Sequence, residues 1–253
     1  MSSTGENKSD GASFSTGTSG VVIVVMGVSG SGKTTLGMAL AEALSLPFID
    51  ADDLHSEANK DKMSRGEPLT DADRGPWLAR VRRAAVEAAE NSTRGTMSGV
   101  IVACSALKAS YRKVLRGECV NLDPETDPRG GACGEAVAGV SAEISDRGLP
   151  AAEGWREGPT DKEKLAEVWL ARAPPLRTYF VHPFGAQTAL LERMMNRESH
   201  FMKANMLTSQ LETLENPAER GEGGIVEIRL EANTKEQVRA ALEGLGEVVL
   251  PYM

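Results

Sequence analysis

The stretch VVIVVMGVSGSGKT, residues 21–34, decides the fold of this 253-residue chain. Its first six residues are five β-branched side chains and a methionine, a run typical of a parallel strand buried on both faces. Residues 27–34 then match the pattern G-x-x-x-x-G-K-S/T, and the apolar spacing of a helix follows directly. Glycines let backbone N–H groups approach an anion, and the amino end of a helix favours negative charge. We therefore predict a phosphate-binding loop (P-loop) between a buried strand and a helix.

The loop predicts a site for a nucleotide and a magnesium ion. Lys33 is expected to reach the β- and γ-phosphates, and the Thr34 hydroxyl is expected to bind Mg²⁺. A chance glycine turn is the alternative, but the strand before the loop and the helix after it argue against this. The residues predicted to bind the nucleotide are Gly27, Val28, Ser29, Gly30, Ser31, Gly32, Lys33, Thr34 and Thr35.

Segments typical of strands and helices alternate along the rest of the chain. Further strands are predicted at residues 47–50, 100–104, 179–181 and 225–230, and further helices at residues 74–90 and 237–245. This alternation predicts a three-layer α/β fold with a mostly parallel sheet. Residues 21–253 are expected to form a single domain, and the polar residues 1–20 a disordered leader.

Residues 119–175 interrupt this alternation. They hold seven of the 26 glycines, six of the 12 prolines, and eleven acidic against six basic residues. We interpret them as a Pro/Gly-rich acidic insertion within one domain. The alternative is a linker between two domains, but the part of the chain after it supplies only two strands, too few for an independent sheet.

Composition restricts the partners and the compartment. The net charge of −8 argues against a nonspecific surface for nucleic acids or anionic membranes. No apolar run approaches the roughly 18–20 residues of a membrane span. The three cysteines form no paired motif, which argues against a disulfide framework or a zinc site and favours a cytoplasmic location.

Acidic residues follow the second predicted strand, in the segment Asp50-Ala51-Asp52-Asp53. Two carboxylates spaced i, i+2 on an extended chain face the same side. One of them, Asp50 or Asp52, is then expected to reach the Mg²⁺ shell while the other points at an acceptor hydroxyl. The alternative is that Asp52 or Asp53 only caps the next helix.

Five longer motifs accompany the P-loop. They are Asp50-Ala51-Asp52 with Leu54-His55, GEPLTDADRGPWL at 66–78, CSALK at 104–108, RESHF at 197–201 and LTSQLETLENP at 207–217, with further matches at Asn59, Lys62, Met63, Tyr111 and Arg112. In order and spacing the chain resembles the gluconokinases, small P-loop kinases that phosphorylate gluconate. The insertion at 119–175 departs from the compact pattern of that family.

The resemblance implies an activity and a fold. The activity is ATP-dependent phosphorylation of D-gluconate at the 6-hydroxyl to 6-phospho-D-gluconate, with ATP and Mg²⁺ and no covalent intermediate. The fold is that of the nucleoside-monophosphate and shikimate kinases, with a helical lid at residues 197–206. Gluconokinases of this type are often dimers, so a homodimer is implied as well.

The resemblance also assigns roles to individual residues. It makes Thr34 and Asp50 the metal ligands, and Asp52 the group that orients the acceptor hydroxyl. The other residues to which it points are Lys33 and Arg197 for catalysis, Arg193 for the nucleotide, and His55, Arg74, Lys108 and His200 for the substrate. Arg74 is suited to a carboxylate because a guanidinium binds it bidentately.

Alternatives remain at four of these positions. His55 is otherwise an exposed histidine at a helix start, and Arg74 an ion-pair partner of Asp71 or Asp73. Lys108 and Arg193 are otherwise solvated on a helix surface.

Two other functions are consistent with a P-loop. Shikimate kinase shares the fold, but the segment after the third strand reads Cys104-Ser105-Ala106 where that family would have three glycines. A nucleotide-binding regulator or scaffold that docks a partner through the insertion is the second alternative.

Overall fold

The computed structural model describes residues 20–92, 98–119, 122, 176–195 and 204–249. Its strands are β1 (Val21–Val25), β2 (Phe48–Asp50), β3 (Gly99–Ala103), β4 (Arg177–Phe184) and β5 (Ile225–Arg229). Its helices are α1 (Lys33–Leu44), α2 (Glu57–Ser64), α3 (Asp71–Asn91), α4 (Ala109–Arg116), α5 (Gln187–Met195), α6 (Ala204–Thr213) and α7 (Thr234–Val249), with a 3-10 helix at Ala51–Leu54 between β2 and α2.

The five strands form one parallel sheet in the order β2-β3-β1-β4-β5. Strands β1 and β3 are buried along their whole length, as expected for β-branched runs covered on both faces. The strands β4 and β5, which follow the predicted insertion, extend the sheet from β1 outward. The three-layer α/β prediction with a parallel sheet is confirmed.

Helices cover both faces of the sheet. One apolar cluster joins α3 and α4 to the sheet, and Trp77, Leu78 and Val81 lie at its centre. A second cluster packs α1 and α7 on the opposite face, with Leu36, Leu40 and Ala241 between them and the strands. The carboxyl ends of all five strands therefore meet at one edge, where ligands bind in open α/β sheets.

Helix α3 begins at Asp71, three residues before the predicted start at Arg74. Thr70 and Asp73 form a capping box: the Thr70 hydroxyl accepts from the Asp73 N–H at 3.3 Å, and the Asp73 carboxylate accepts from the Thr70 N–H at 2.9 Å. Such a box satisfies two N–H groups that a helix start otherwise leaves unpaired. The helix thus starts at its cap, ahead of the apolar periodicity on which the prediction depended.

Several predictions concern residues that the structure does not describe. The leader lies outside the described residues except for Gly20, and the insertion except for Cys119 and Leu122. Cys119 is disulfide-bonded. The cysteine spacing argued against a disulfide framework and did not predict this bond. Within the described ranges no helix is long and apolar enough to cross a membrane.

Candidate active site

The P-loop follows β1 at the carboxyl edge of the sheet. It is hydrogen-bonded on one side to β4, where Met26 N–H donates to the Val181 carbonyl at 2.8 Å, and on the other to the segment after β3, where Gly27 N–H donates to the Ser105 carbonyl at 3.1 Å. Three of its glycines have positive φ values, 131° at residue 27, 82° at residue 30 and 86° at residue 32. Other residues rarely adopt this conformation, so the glycines are what allow the loop to turn.

The loop fits a phosphate group. The Ser31 hydroxyl is buried, at 1% exposure, and has no hydrogen-bond partner among the described residues. A buried polar atom of this kind is rare unless a ligand or water satisfies it. The Lys33 ammonium donates to the Val28 carbonyl at 3.0 Å, which bends the side chain back over the loop. The loop at the start of α1 therefore has the donors and the backbone conformation that suit a phosphate.

Thr34 and Asp50 meet beside this loop. The Thr34 hydroxyl donates to Oδ2 of Asp50 at 2.8 Å, although the two residues come from different elements. Magnesium in phosphoryl-transfer sites is held by one or two such oxygen ligands together with phosphate oxygens and water. The hydroxyl and carboxylate are therefore a donor set that fits Mg²⁺.

The backbone conformation that positions Asp50 and Asp52 differs from the predicted one. The chain leaves the extended conformation after Asp50, and Asp52 lies in the 3-10 helix Ala51–Leu54. Asp50 caps this helix, with Oδ1 accepting from the Asp52 N–H at 3.1 Å, and Ser56 caps α2. The expectation that the two carboxylates share a face of an extended chain is therefore wrong, and so is the alternative in which Asp52 or Asp53 is the cap.

Asp52 lines a cavity beside the P-loop, together with Lys33, His55 and Arg74. Its carboxyl is accessible through the open cavity, but the surrounding protein removes part of its hydration and raises its pKa. The nearby Lys33 ammonium lowers the pKa, while Asp50 and Asp53 raise it further. The net effect is a carboxylate with greater proton affinity than an ordinary aspartate.

His55 is buried in the wall of the same cavity, at 8% exposure. Its ring stacks on Trp77, with centroids 4.2 Å apart and planes 10° from parallel. Burial lowers its pKa to about 4, and Arg80, Arg74 and Lys60 act in the same direction. The imidazole is therefore neutral near neutral pH, and the alternative of an exposed histidine at a helix start does not hold.

Arg74 lines the cavity, and no carboxylate among the described residues forms an ion pair with it. Its Nη1 donates to the Leu69 carbonyl at 2.6 Å and to the Tyr111 hydroxyl at 3.4 Å. Among the described residues Arg74 forms no ion pair with Asp71 or Asp73, which pair with Lys108 and Lys62 instead, although its charge helps to lower the pKa of Asp71.

Lys108 occupies a different position from the other predicted substrate residues. Its ammonium lies 2.7 and 2.9 Å from the two carboxylate oxygens of Asp71, which also accepts a hydrogen bond from the Tyr111 hydroxyl. The pair links the start of α3 to the residue that precedes α4. The structure thus brings Lys33, Asp52, His55 and Arg74 together around one cavity and directs Lys108 to a neighbouring carboxylate.

A second cavity lies on the other side of the P-loop. Gly30, Gly32 and Thr35 form one wall, and Arg193 with Asn233, Thr234 and Gln237 form the opposite one. Arg193 is held there by a hydrogen bond from Nη2 to the Leu230 carbonyl at 2.5 Å, so it is not simply a solvated residue. The other two predicted lid-side residues, Arg197 and His200, lie outside the described residues, as does most of the lid at 197–206.

Two residues of the motif at 207–217, Gln210 and Glu215, form hydrogen bonds that the sequence did not predict. Oε1 of Gln210 accepts from the Ser29 N–H at 2.6 Å, which connects α6 to the P-loop. Glu215 accepts from the Ala109 N–H at 2.9 Å and so satisfies the start of α4, where the N-cap side chain makes no capping bond. The motif pointed to both positions, but their partners are more than a hundred residues away in the chain.

Known proteins resemble this chain over most of its length. A family model for shikimate kinase matches residues 29–127. The probable gluconokinase of Xenopus tropicalis is 34% identical over 198 residues, which cover 78% of this chain and 80% of that protein. The thermosensitive gluconokinase of Escherichia coli strain K12 is 33% identical over 226 residues, 88% of both chains.

Two solved structures of kinases also resemble this chain along nearly its whole length. A gluconokinase from Sinorhizobium meliloti 1021 is 35% identical, has a TM-score of 0.58, and the match covers 92% of this chain and 95% of that one. A sugar kinase from Janibacter sp. HTCC2649 is 30% identical with a TM-score of 0.61, over 91% and 96% of the two chains. With a P-loop, the acceptor-side motifs and relatives above 30% identity along nearly the whole chain, this protein belongs to the gluconokinase family.

Proposed function

We propose that the protein is an ATP-dependent gluconokinase that phosphorylates D-gluconate at its 6-hydroxyl and releases 6-phospho-D-gluconate and ADP. The observation that carries this proposal is the cavity in which Lys33 and Asp52 lie beside Arg74 and His55. An ammonium, a carboxylate and a guanidinium thus line one space, and we assign them to the phosphate, the hydroxyl and the substrate carboxylate in that order. This combination of groups suits phosphorylation of a sugar acid.

ATP is proposed to bind with its phosphates in the P-loop and the rest of the nucleotide in the cavity of Arg193 and Asn233. Backbone N–H groups of the loop, the Ser31 hydroxyl and Lys33 then bind phosphate oxygens. When bound, Mg²⁺ held by Thr34 and Asp50 neutralises phosphate charge. Arg193 and Arg197 are proposed to add positive charge around the transferring group.

Transfer requires a substrate hydroxyl oriented toward the γ-phosphorus. Asp52 accepts the hydrogen bond of that hydroxyl and takes its proton as the new O–P bond forms and the bond to the ADP oxygen breaks. Because phosphoryl transfer depends mainly on positioning and charge neutralisation, Asp52 need not be a strong base. The raised pKa of this carboxyl favours uptake of the proton.

The substrate carboxylate is proposed to bind Arg74. One of its nitrogens is fixed by the Leu69 carbonyl, which sets the plane of the guanidinium and leaves its other donors for the ligand. His55 is proposed to bind an oxygen of the polyol chain, and His200 to close over it from the lid. Lys108 can bind substrate in this scheme only after its ion pair with Asp71 breaks.

Domain organisation, assembly and location complete the proposal. Strand β4 pairs with β1 and β5 pairs with β4, so the strands on both sides of residues 119–175 share one sheet, which supports one domain over residues 21–253 with an insertion. We further propose a disordered leader at 1–20, a helical lid at 197–206, a homodimer in the cytoplasm, and no nucleic-acid or membrane partner. The shikimate kinase and scaffold alternatives are not favoured, because the gluconokinase relatives match far more of the chain than residues 29–127.

A substrate panel tests the activity. ADP release is measured with gluconate, its epimers, shikimate and nucleoside monophosphates, and the product is identified by phosphorus and carbon NMR. We expect gluconate-dependent ADP release with the phosphate on the terminal hydroxyl. The Lys33→Met variant is the matched blank and should lose this activity. Absence of gluconate-dependent ADP release by the wild-type protein would refute the proposal.

A further inference from the structure

The ring of His55 is held rigidly in the wall of the acceptor-side cavity. It stacks on Trp77, and the Trp77 indole is fixed in turn because Nε1 donates to the Ala51 carbonyl at 2.8 Å. Both side chains are buried, at 8% and 1% exposure. The ring plane is therefore set by packing. The neutral ring carries one proton, on either Nδ1 or Nε2.

Asn59 determines that position. Its Nδ2 lies 3.1 Å from the backbone carbonyl of Asp73 and 3.3 Å from Nδ1 of His55. A backbone carbonyl can only accept, so the group that faces it must be the NH₂ end of the amide. The second hydrogen of that NH₂ then points to Nδ1 of His55, which must accept and therefore carries no proton. A neutral imidazole with an unprotonated Nδ1 carries its hydrogen on Nε2.

The charged groups around the ring act against a second proton. Arg74 and Arg80 face it from α3 and Lys60 from α2, and all three lower its pKa together with burial. Asn59 itself is buried at 4% exposure, so water does not readily replace its amide. The ring is thus held in one protonation state as well as one orientation.

We propose that Asn59 is a positioning residue that fixes His55 as the Nε2–H tautomer, so that the imidazole presents a hydrogen-bond donor to an oxygen of the substrate's polyol chain. This proposal rests on the proposed function and adds a specificity rule to it. A substrate oxygen opposite Nε2 must accept a hydrogen bond, and a deoxy analogue leaves a buried donor unpaired, which is strongly disfavoured. Asn59 acts through His55 and does not itself touch the substrate in this scheme.

The tautomer is measured directly by proton–nitrogen correlation NMR of the histidine rings. The chain has three histidines, and the His55→Gln variant assigns the signals of residue 55. In the wild-type protein we expect the Nε2–H pattern for His55, without titration between about pH 5 and about pH 8. A His55 ring with the proton on Nδ1, or one that titrates near its ordinary pKa, would overturn the proposal. This measurement needs no catalytic activity, so it separates a failure of this inference from a failure of the proposed function.

The Asn59→Asp variant tests the role of the amide. A carboxylate at this position accepts from Nδ1–H, so we expect the His55 ring to titrate at higher pH and kcat/KM for gluconate to gain a new ionisation. Above the new pKa the neutral ring keeps its proton on Nδ1 and lacks the Nε2–H donor, so KM for gluconate should rise by about tenfold, while KM for ATP is unchanged. The Asn91→Asp variant, at an exposed position of α3, is the matched control. An unaltered His55 tautomer and pH profile in Asn59→Asp would contradict the assignment.

Substrate contact is tested by titrating the wild-type protein with gluconate. Binding should shift the Nε2–H resonance of His55, and saturation is followed independently through backbone amide signals. An Nε2–H resonance that does not move at saturation would exclude the hydrogen bond to substrate. A normal shift with 6-deoxygluconate and a lost shift with an analogue deoxygenated elsewhere would identify the oxygen that is bound.

Discussion

The two cavities at the carboxyl edge of the sheet are built in different ways. On the phosphate side the P-loop itself is formed by backbone, through positive-φ glycines and N–H groups within eight consecutive residues, although side chains of Arg193, Asn233 and Gln237 line the other wall of its cavity. The acceptor side is formed by side chains from the P-loop, the 3-10 helix Ala51–Leu54, α2, α3 and α6, and several of them are held by other residues. His55 depends on Trp77 and Asn59, and Arg74 depends on the Leu69 carbonyl. Phosphate binding is thus a local property of the sequence, whereas substrate selection is a property of the packed fold.

The Asp52→Asn variant should separate the two sides most sharply. Loss of the carboxylate removes proton acceptance from the hydroxyl, so we expect kcat to fall by about 10²- to 10⁴-fold. Nucleotide affinity, measured by calorimetry, should stay unchanged because Asp52 belongs to the acceptor side. Asp53→Asn, an exposed neighbour in the same 3-10 helix, is the matched control. An unchanged kcat would remove Asp52 from the mechanism.

The Arg74→Ala variant should affect the acceptor side alone. Loss of a charged hydrogen-bond donor is expected to raise KM for gluconate by about 10- to 100-fold, equivalent to about 1.5–3 kcal/mol. KM for ATP should not change. Arg83→Ala removes an exposed arginine from the same helix and controls for general effects on α3. Equal losses for gluconate and ATP would mean that Arg74 supports the fold of the site and does not select the substrate.

The Gln210→Ala variant tests the contact that joins the two sides. Gln210 lines the acceptor-side cavity and also accepts from the Ser29 N–H of the P-loop. Its loss is expected to raise KM for both ATP and gluconate by about 2- to 10-fold, the range of one neutral hydrogen bond. Thr208→Ala, an exposed position on α6, is the control. An effect on one substrate only would assign Gln210 to that side.

The smallest effect is expected at the cap of α3, which supports the acceptor side from a distance. Thr70→Ala should lower the free energy of unfolding by about 1 kcal/mol, with kinetic constants nearly unchanged.

Hydrogen bonds from Lys62 and Thr70 lower the pKa of Asp73 to about 2, below its ordinary value of 3.8. A lowered pKa stabilises the folded state above the unfolded-state pKa, and that stabilisation is lost as the pH falls through the folded-state value.

Denaturant unfolding at several pH values checks this sign. The free energy of unfolding of the wild-type protein should fall between about pH 4 and about pH 2. The Asp73→Asn variant should show a smaller fall over the same range, because it has no carboxylate to protonate. Parallel pH dependence in the two proteins would contradict the role given to Asp73.

The sequence predicted the parts of the molecule whose cause is local. The β-branched run before the P-loop, the glycines within it and the alternation of strands and helices were sufficient for the parallel α/β fold. Helix α3 was placed three residues late because apolar spacing begins at Arg74, whereas the cap depends on the polar pair Thr70 and Asp73. Asp50 and Asp52 were expected on one extended face, but a 3-10 helix starts between them.

The sequence by itself determined the fold class and the phosphate loop, and it pointed to Lys33, Asp52, His55 and Arg74 among the residues around the acceptor-side cavity. Only the tertiary structure decided that Lys108 pairs with Asp71, that Gln210 reaches the P-loop, and that Asn59 holds the His55 ring. The physical reason is the range of the interactions. Glycine conformation and β-branched packing act between neighbours in the chain, whereas the partner of a polar side chain is set by which helices the core brings together.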